Sequence, residues 1–495
     1  MRNGRGKVVR FRVAANANRS CGRPFVLAIL MLLGAPSAVA AAESTAGVIA
    51  MIDAGQFEAA TATIDRLLAS SDPAERRALQ FQRERMRRIL LDFDLSADQV
   101  KAQIHRQIPD LTDREFEHWA ARGYVERRII DGRTLYFHRA AGNLFRLSEA
   151  ARARRADPRP FSTSPLESAN AHHREVIEAA FATRKSSVLP QRVRITQSLT
   201  VDAGAVPAGE TVKVWLPYPR AIPGQQEDIR LVASQPAAHE VAPDSALQRT
   251  VFLQQPAVAD DPTRFSITYE VTIYARYQAV DADKVLPAKI MPELAPYVSE
   301  HLPHIAFTEQ MRLFSQQIVG DEKNPWRIAQ KLYAAVDAIP WAGAREYSTI
   351  SNISDHALHA GHADCGQQTL LLMTLLRMNG IPARWQSGMM FSPGSYWNLH
   401  DWGQLYIAPY GWMPMDVTFG RLDSADPRVA GFYLGGLDGY RIAFNDDYGR
   451  ALTPAKTGFR SDTVDNQRGE AEWRGGNLYY DQFDYDFTWR FLPAQ

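Results

Sequence analysis

The chain has 495 residues, 45% hydrophobic, 22% charged and 10% aromatic, a balance that excludes wholesale disorder and collagen-like repeats and, at ordinary domain sizes, points to roughly two to four domains. Its 56 basic and 55 acidic side chains leave a formal net charge of +1, so no global field exists to hold a nucleic-acid backbone or an anionic membrane surface.

The amino terminus reads as an export address. Arg2, Arg5, Lys7, Arg10, Arg12, Arg19 and Arg23 precede the apolar run Phe25 to Leu33, and small residues follow through Ala38-Val39-Ala40-Ala41-Ala42. A basic segment, a short apolar run and an A-x-A site predict a signal peptide over 1–42, with the mature protein periplasmic or secreted. The apolar run is far shorter than the roughly 20 residues of a spanning helix, so no stable membrane span is expected. The only cysteines are Cys21 and Cys365. Cys21 leaves with the signal, so the mature protein carries one thiol and no internal disulfide, in an oxidising compartment.

Residues 43–165 read as a helical domain. Phe57, Ile64, Leu67 and Leu68, then Phe81, Ile89 and Leu90, recur at helical spacing. Gly55, Phe57 and Ala60 lie between two helical patterns in the manner of a tetratricopeptide pair, but no second copy follows at a fixed period. Ser96 and Thr112 open further helices, and Tyr124 to Phe137 alternates around Asp131-Gly132, a hairpin signal. Two helices and a hairpin allow a winged-helix reading of this part, made basic by His118, Arg122, Arg127, Arg128 and Arg133. An exported chain meets no DNA, so no nucleic-acid partner is expected and a packing or peptide-contact role is favoured. Ala156 to Ser164, with Pro158 and Pro160, reads as a linker.

The period changes to two over 166–290. Val193, Ile195, Leu199 and Val201 alternate, as do Val212, Val214 and Leu216, and Phe265 to Ile273. An antiparallel β-sandwich is expected, serving as scaffold or docking module. From about Pro296 helical spacing returns, and Asn324-Pro325 is a helix start with Ile328, Leu332 and Val336 as its buried stripe.

The stretch Asp364 to Gly380 predicts one buried helix, capped by Asp364 and ended by Asn379-Gly380. Cys365 falls in its first turn. There the free N–H groups and the positive end of the macrodipole favour the thiolate and lower the thiol pKa from about 8.5. Ile381 to Phe391, Leu399 to Ile407 and Trp412 to Val417 read as successive strands, which would set His400 and Asp416 on neighbours within hydrogen-bond reach. A cysteine nucleophile with a histidine oriented by a carboxylate is the arrangement of acyl-transfer chemistry.

Over roughly 296–420 the sequence resembles the transglutaminase-like superfamily of papain-like fold. The matching pieces are the cysteine heading an apolar helix, Asn379-Gly380-Ile381-Pro382-Ala383-Arg384, His400-Asp401-Trp402, and Gly411-Trp412-Met413-Pro414-Met415-Asp416. The resemblance implies Cys365 as nucleophile, His400 as general base and acid, Asp416 as the residue fixing His400, and Trp341 as an aromatic aid to the oxyanion. Two positions depart from the family's pattern. Gln404 stands where many relatives carry an acidic residue, and Gly366 where an aromatic or acidic side chain is often found.

Rival readings exist. His356, His359, His362 and Cys365, with Asp355 and Asp364, are zinc-ligand types, but their contiguous spacing is unlike ligand pairs drawn from separate elements, and no metal or other cofactor is expected. Asn445-Asp446-Asp447 lacks the regular spacing of a calcium loop and reads as a solvated turn. Cys365 alone would pass for a small core hydrophobe. Trp385, Trp397, Trp402, Trp412 and Trp473 are core residues by default, with Trp385 and Trp402 as candidates for walls of a peptide groove. Residues 421–495 read as a β-rich extension closing over a catalytic domain at 291–420.

The expectation is therefore an α+β protein, a papain-like transglutaminase core preceded by a helical domain and a β-sandwich. Its expected activity is that of a cysteine-dependent amidase, peptidase or acyl transferase acting on a peptide or protein substrate. The competing class is a non-catalytic binding protein or scaffold of the same fold.

Overall fold

The computed structural model describes residues 43–161, 164–394 and 396–493. The expected signal segment lies outside the described residues.

Seven helices and a hairpin form the amino-terminal unit: α1 (Thr45–Asp53), α2 (Phe57–Leu68), α3 (Pro73–Asp92), α4 (Ala97–His105), α5 (Asp113–Ala121), β1 (Arg127–Ile130), β2 (Arg133–Tyr136), α6 (Ala140–Leu147) and α7 (Glu149–Ala153). Ser96 and Thr112 each cap a helix through a full capping box, with Gln99 and Glu115 reaching back. The β1–β2 turn holds Asp131 at φ 46° and Gly132 at φ 79°, the left-handed pair that a two-residue hairpin requires. Val48, Ile64, Ile89, Val100, Phe116 and Leu144 belong to one apolar core.

After α8 (Ala171–Thr183) come β3 (Ser187–Val201), β4 (Thr211–Pro217), β5 (Gln226–Gln235), β6 (His239–Val241), β7 (Thr250–Pro256) and β8 (Thr263–Tyr277). The core then runs through α9 (Glu309–Val319), α10 (Pro325–Asp337), α11 (Ile353–His359), α12 (Cys365–Met378), β9 (Ala383–Phe391), β10 (Trp397–Ile407) and β11 (Gly411–Met415). The carboxyl-terminal part supplies α13 (Pro427–Ala430), β12 (Gly436–Leu437), β13 (Arg441–Asn445), β14 (Glu470–Trp473), β15 (Gly476–Leu478) and β16 (Phe483–Phe491).

The strands form a small hairpin and three larger sheets. The core sheet has the order β11-β10-β9-β13, and α12 packs on it through Leu370, Leu371, Leu375 and Leu376 against Trp385 and Leu405. The other two sheets, β12-β8-β3-β16 with β5 on β8, and β15-β14-β4-β7-β6, face each other across Val193, Ile195, Val214, Leu253 and Ile267. Alternate β3 residues turn inward, the period-two burial of a packed sheet.

The carboxyl-terminal strands do not form a layer of their own. β16 pairs with β3 from Phe483↔Val201 to Phe491↔Val193, β14 pairs with β4, and β13 joins the core sheet beside β9. These pairings span far more of the chain than any local pattern reaches. The same apolar cluster that fills the sandwich takes in Met389, Phe391, Ile442 and Phe444 of the core sheet, so sandwich and core share a packed boundary.

Candidate active site

Helix α12 starts at Cys365. Asp364 caps it, its carboxylate accepting from the Gln367 N–H at 3.0 Å while the Gln367 side chain accepts from the Asp364 N–H at 3.3 Å. Asn379 and Gly380, at φ 72°, end it. Around the helix head lies a cavity of about 220 Å³, lined by Arg139 of the amino-terminal unit, Trp341 and Tyr347 of the core, and Gln467, Arg468 and Tyr485 of the carboxyl-terminal part. A larger groove of about 620 Å³ runs between α3 and the carboxyl-terminal loops, and one of about 650 Å³ lies between α3 and the core segments at 301–306 and 348–352. They contain no cysteine, so the small cavity is the one with a nucleophile.

The β10–β11 hairpin brings His400 and Asp416 together. The His400 Nε2 and the Asp416 Oδ2 are 2.8 Å apart. The other Asp416 oxygen accepts from the N–H groups of Thr418 and Phe419 at 3.1 and 3.2 Å. Arg441 on β13 donates to Asp416 at 2.6 Å and to Asp438 at 2.7 Å, all three side chains being almost wholly buried. Burial would raise the Asp416 carboxyl, but the charges of His400 and Arg441 overcome it and hold the group well below the usual carboxylate range. The imidazole stacks on Phe419, with centroids 4.9 Å apart.

The Cys365 thiol makes its hydrogen bond elsewhere. Its Sγ donates to Asp401 Oδ2 at 3.3 Å. His400 and Asp401 are consecutive in β10, and consecutive strand residues leave the sheet on opposite faces. Asp401 takes the face that meets α12, while His400 takes the face of Trp402, Phe419 and Asp416. Asp401 also accepts from Tyr347 Oη at 3.0 Å and from the Gln467 amide at 2.7 Å. Tyr347 Oη lies 3.0 and 3.1 Å from the two Asp364 oxygens as well.

This surrounding reverses the expected thiolate. Burial, then the negative charges of Asp401 and Asp364, push the thiol well above its ordinary value, the direction opposite to the one expected from the helix N-terminus. The carboxyls respond in the same way. Burial and the Asp364 charge push Asp401 up to about 7, and burial pushes Asp364 up to about 6. Sequence reasoning missed Asp401 as the partner of the thiol and Tyr347 as the partner of Asp401 and Asp364. The one available signal was the shortness of the side chain after the cysteine: a Cβ on Gly366 would stand 2.0 Å from Tyr347 Oη and 2.7 Å from Asp401 Oδ2. The glycine departure therefore makes room for this cluster.

The remaining expected site residues separate. Trp341 lines the cavity, and the Arg146 guanidinium sits 4.3 Å from its ring centroid. Trp385 and Trp402 form no groove wall: both are fully buried, Trp385 donating to Ser387 at 3.0 Å and Trp402 to Gln386 at 2.9 Å. The core, which must hide its largest apolar faces, has claimed them. Gln404 receives Arg384, with Nε at 2.9 Å from its carbonyl oxygen. Among the zinc-ligand types, His356 faces Arg345 at 2.8 Å and His359 faces the Asp355 carbonyl at 2.8 Å. No group of three or more His, Cys, Asp or Glu among the described residues is disposed to hold a metal ion. Asp446 and Asp447, at the sequence considered for calcium, are buried rather than solvated, with Asp446 accepting from Gln386 at 2.7 Å and Asp447 from Arg450 at 2.8 Å.

Residues 312–417 match the family model of the transglutaminase-like superfamily. The matched segment runs from within α9 to the residue after Asp416 and so contains Cys365, His400 and Asp416. Comparison with curated proteins finds no match. Among solved structures, a candidate cysteine protease from Cytophaga hutchinsonii is similar at 14% identity and TM-score 0.41, over 62% of this chain and 93% of that one. The periplasmic domain of TgpA from Pseudomonas aeruginosa is similar at 13% identity and TM-score 0.25, over 51% of this chain and 94% of that one. Among the described residues no helix is long and apolar enough to cross a membrane.

Proposed function

We propose that the chain is an exported cysteine-dependent amidase or peptidase, with Cys365 as the nucleophile and the buried His400–Asp416 pair as its acid–base partner. The observation that carries this reading is the half-buried Cys365 at the first residue of α12, its Sγ in contact with β10, the strand that also carries a histidine 2.8 Å from a carboxylate. The sulfur attacks a carboxamide carbonyl, and the oxyanion is met by the backbone N–H groups at the helix head. The C–N bond breaks as the leaving nitrogen gains a proton, an acyl-thioester remains on Cys365, and water releases the acid. An amine in place of water gives acyl transfer. Water is the preferred acceptor because no feature of the cavity marks an amine site. Export is supported by the basic, apolar and small-residue order of 2–42.

The test is digestion of a random peptide library read by mass spectrometry, with Cys365→Ala and His400→Ala beside the wild type. Cleavage lost in Cys365→Ala and slowed about 100-fold or more in His400→Ala is expected, the range of lost general acid–base catalysis. The raised thiol favours a second reading, a binding protein that uses the cavity as a docking pocket. Retention of library peptides without cleavage would select it.

A further inference from the structure

The cavity around Cys365 is completed from outside the core. Helix α6 of the amino-terminal unit docks on its rim: the buried Asn143 side chain donates to the Gly343 carbonyl at 2.8 Å and accepts from the Gly343 N–H at 2.9 Å, and the Arg146 guanidinium lies 4.3 Å from the Trp341 ring centroid. Arg139, the N-cap residue of α6, lines the same cavity as Cys365. Its side chain is held from two sides. His138 Nδ1 lies 3.1 Å from the Asp92 carbonyl oxygen, which can only accept, so Nδ1 carries the ring proton and Nε2 accepts from Arg139 Nε at 3.2 Å. The stem passes over Gly343, where an added Cβ would stand 3.1 Å from Arg139 Cδ and 3.5 Å from Nη1. The Nε–H is thus spent, whereas Nη1 and Nη2 meet no acceptor among the described residues. The other cations of the cavity are matched, Arg345 lying 3.3 Å from Glu126 and Arg468 3.0 Å from Glu346. Burial raises the wall carboxyls Asp364, Asp401 and Asp462 to about 6, 7 and 8, the Arg139 charge acting against the rise at Asp364. Near neutral pH the wall is therefore less negative than its composition suggests.

We propose that Arg139 is a specificity-determining residue whose two free Nη groups take a carboxylate of the substrate, so that the preferred substrate is a peptide with an acidic group beside the scissile amide. The inference rests on the reading of Cys365 as nucleophile, which makes this cavity the place where a scissile bond is held. The end of a guanidinium presents parallel N–H donors that match the two oxygens of a carboxylate, and a neutral amide offers only one such oxygen. An acidic side chain and a free carboxyl terminus supply the same chemistry, and amidating the terminus tells them apart. The amino-terminal unit then has a part in the site beyond packing, because it carries the charge that reads the substrate.

The test compares peptides of one sequence, with Glu, Gln or Lys beside the cleaved bond and with a free or an amidated carboxyl terminus, on the full mature chain. The wild type is expected to cleave the acidic member about tenfold or more faster in kcat/KM than its neutral counterpart, the size of one hydrogen-bonded charge contact. If the terminus is the group that is read, amidation gives that loss and the Glu-to-Gln change does not. Arg139→Met is expected to bring the ratio of acidic to neutral cleavage close to one, and Arg139→Glu to turn the preference toward Lys. A merely structural role slows all peptides alike and leaves the ratio where it was. Added salt should shrink the wild-type ratio, because Arg139 is exposed. A wild type without an acidic preference, or a preference that survives Arg139→Met, overturns the proposal. A wild type that cleaves no peptide, or cleavage that survives Cys365→Ala, overturns the nucleophile reading instead. Retention of a random peptide library on the Cys365→Ala protein then decides the role of Arg139. Acidic peptides enriched about tenfold over neutral ones, with the enrichment lost on adding Arg139→Met, support it, and equal retention overturns it.

Discussion

Gly366 and Tyr347 meet with no space for a methyl group between them, an added Cβ falling 2.0 Å from Tyr347 Oη and 2.6 Å from its Cζ. The helix geometry at 366 is ordinary, so the demand for glycine is one of room, not of backbone angle. Gly366→Ala must displace the tyrosine from Asp364 and Asp401, at the cost of overpacking, about 1–3 kcal/mol. Chemical denaturation should register that loss. A cycle with Tyr347→Ala should show the two changes to be strongly non-additive, because the second removes the atoms that the first strikes. Additive effects would mean the contact matters little.

Arg441 is the cation between Asp416 and Asp438, at 2.6 and 2.7 Å, with all three side chains nearly inaccessible. Arg441→Met leaves two buried carboxylates with half their compensation, and an uncompensated buried charge costs about 3–5 kcal/mol. The double variant with Asp438→Asn should recover part of this. Denaturation midpoints at fixed pH measure both.

Local chemistry made the helix of Cys365 legible, because its cap, its apolar face and its Asn379-Gly380 end are all short-range signals. The β9–β10–β11 meander was legible for the same reason, and with it the pairing of His400 and Asp416. Arg441 was not, since it reaches Asp416 from a strand whose pairing with β9 no local pattern announces. The same holds for β14 and β16, which return to the sandwich across more than 200 residues of chain. Asp401 was hidden in plain view: the His-x-Trp pattern draws attention to its flanks, and only the pleat decides that the middle residue meets the thiol. Trp385 and Trp402 follow their default reading as core residues, and their full burial removes them from any groove wall.

The chain also predicts indifference to chelators. His356 and His359 are spent on Arg345 and the Asp355 carbonyl, and the proposed chemistry uses sulfur, imidazole and carboxylate alone. Peptide cleavage by the full mature chain is expected to survive a strong chelator and to be lost on iodoacetamide treatment. Loss to the chelator, restored by zinc, would reinstate the metal reading.

Acidity enters stability through carboxyls that are costly to ionise. Burial, with the charge of Glu346, raises Asp92 to about 7. Burial likewise raises Asp401 to about 7 and, with the charge of Asp465, Asp462 to about 8. Their unfolded values are about 3.9. A raised carboxyl binds more protons in the folded than in the unfolded state, so its stabilising contribution is complete at low pH and is lost as pH rises through the folded value. Below about 6.5 the buried histidines oppose this, since burial lowers His304 and His173 to about 4 and the folded state then binds fewer protons. Above the unfolded histidine value of about 6.5 that opposition ends. Between about pH 6.5 and 8 the melting temperature is therefore expected to fall. Asp92 gives the sharpest check, because it accepts from the Glu346 N–H at 3.1 Å and the Thr349 hydroxyl at 3.0 Å, tying α3 to the turn that carries Tyr347. Asp92→Asn keeps an acceptor there and carries no charge to bury, so the variant should flatten part of the decline and gain on the wild type as pH rises to 8. A parallel decline in both proteins would show that Asp92 does not titrate in this range.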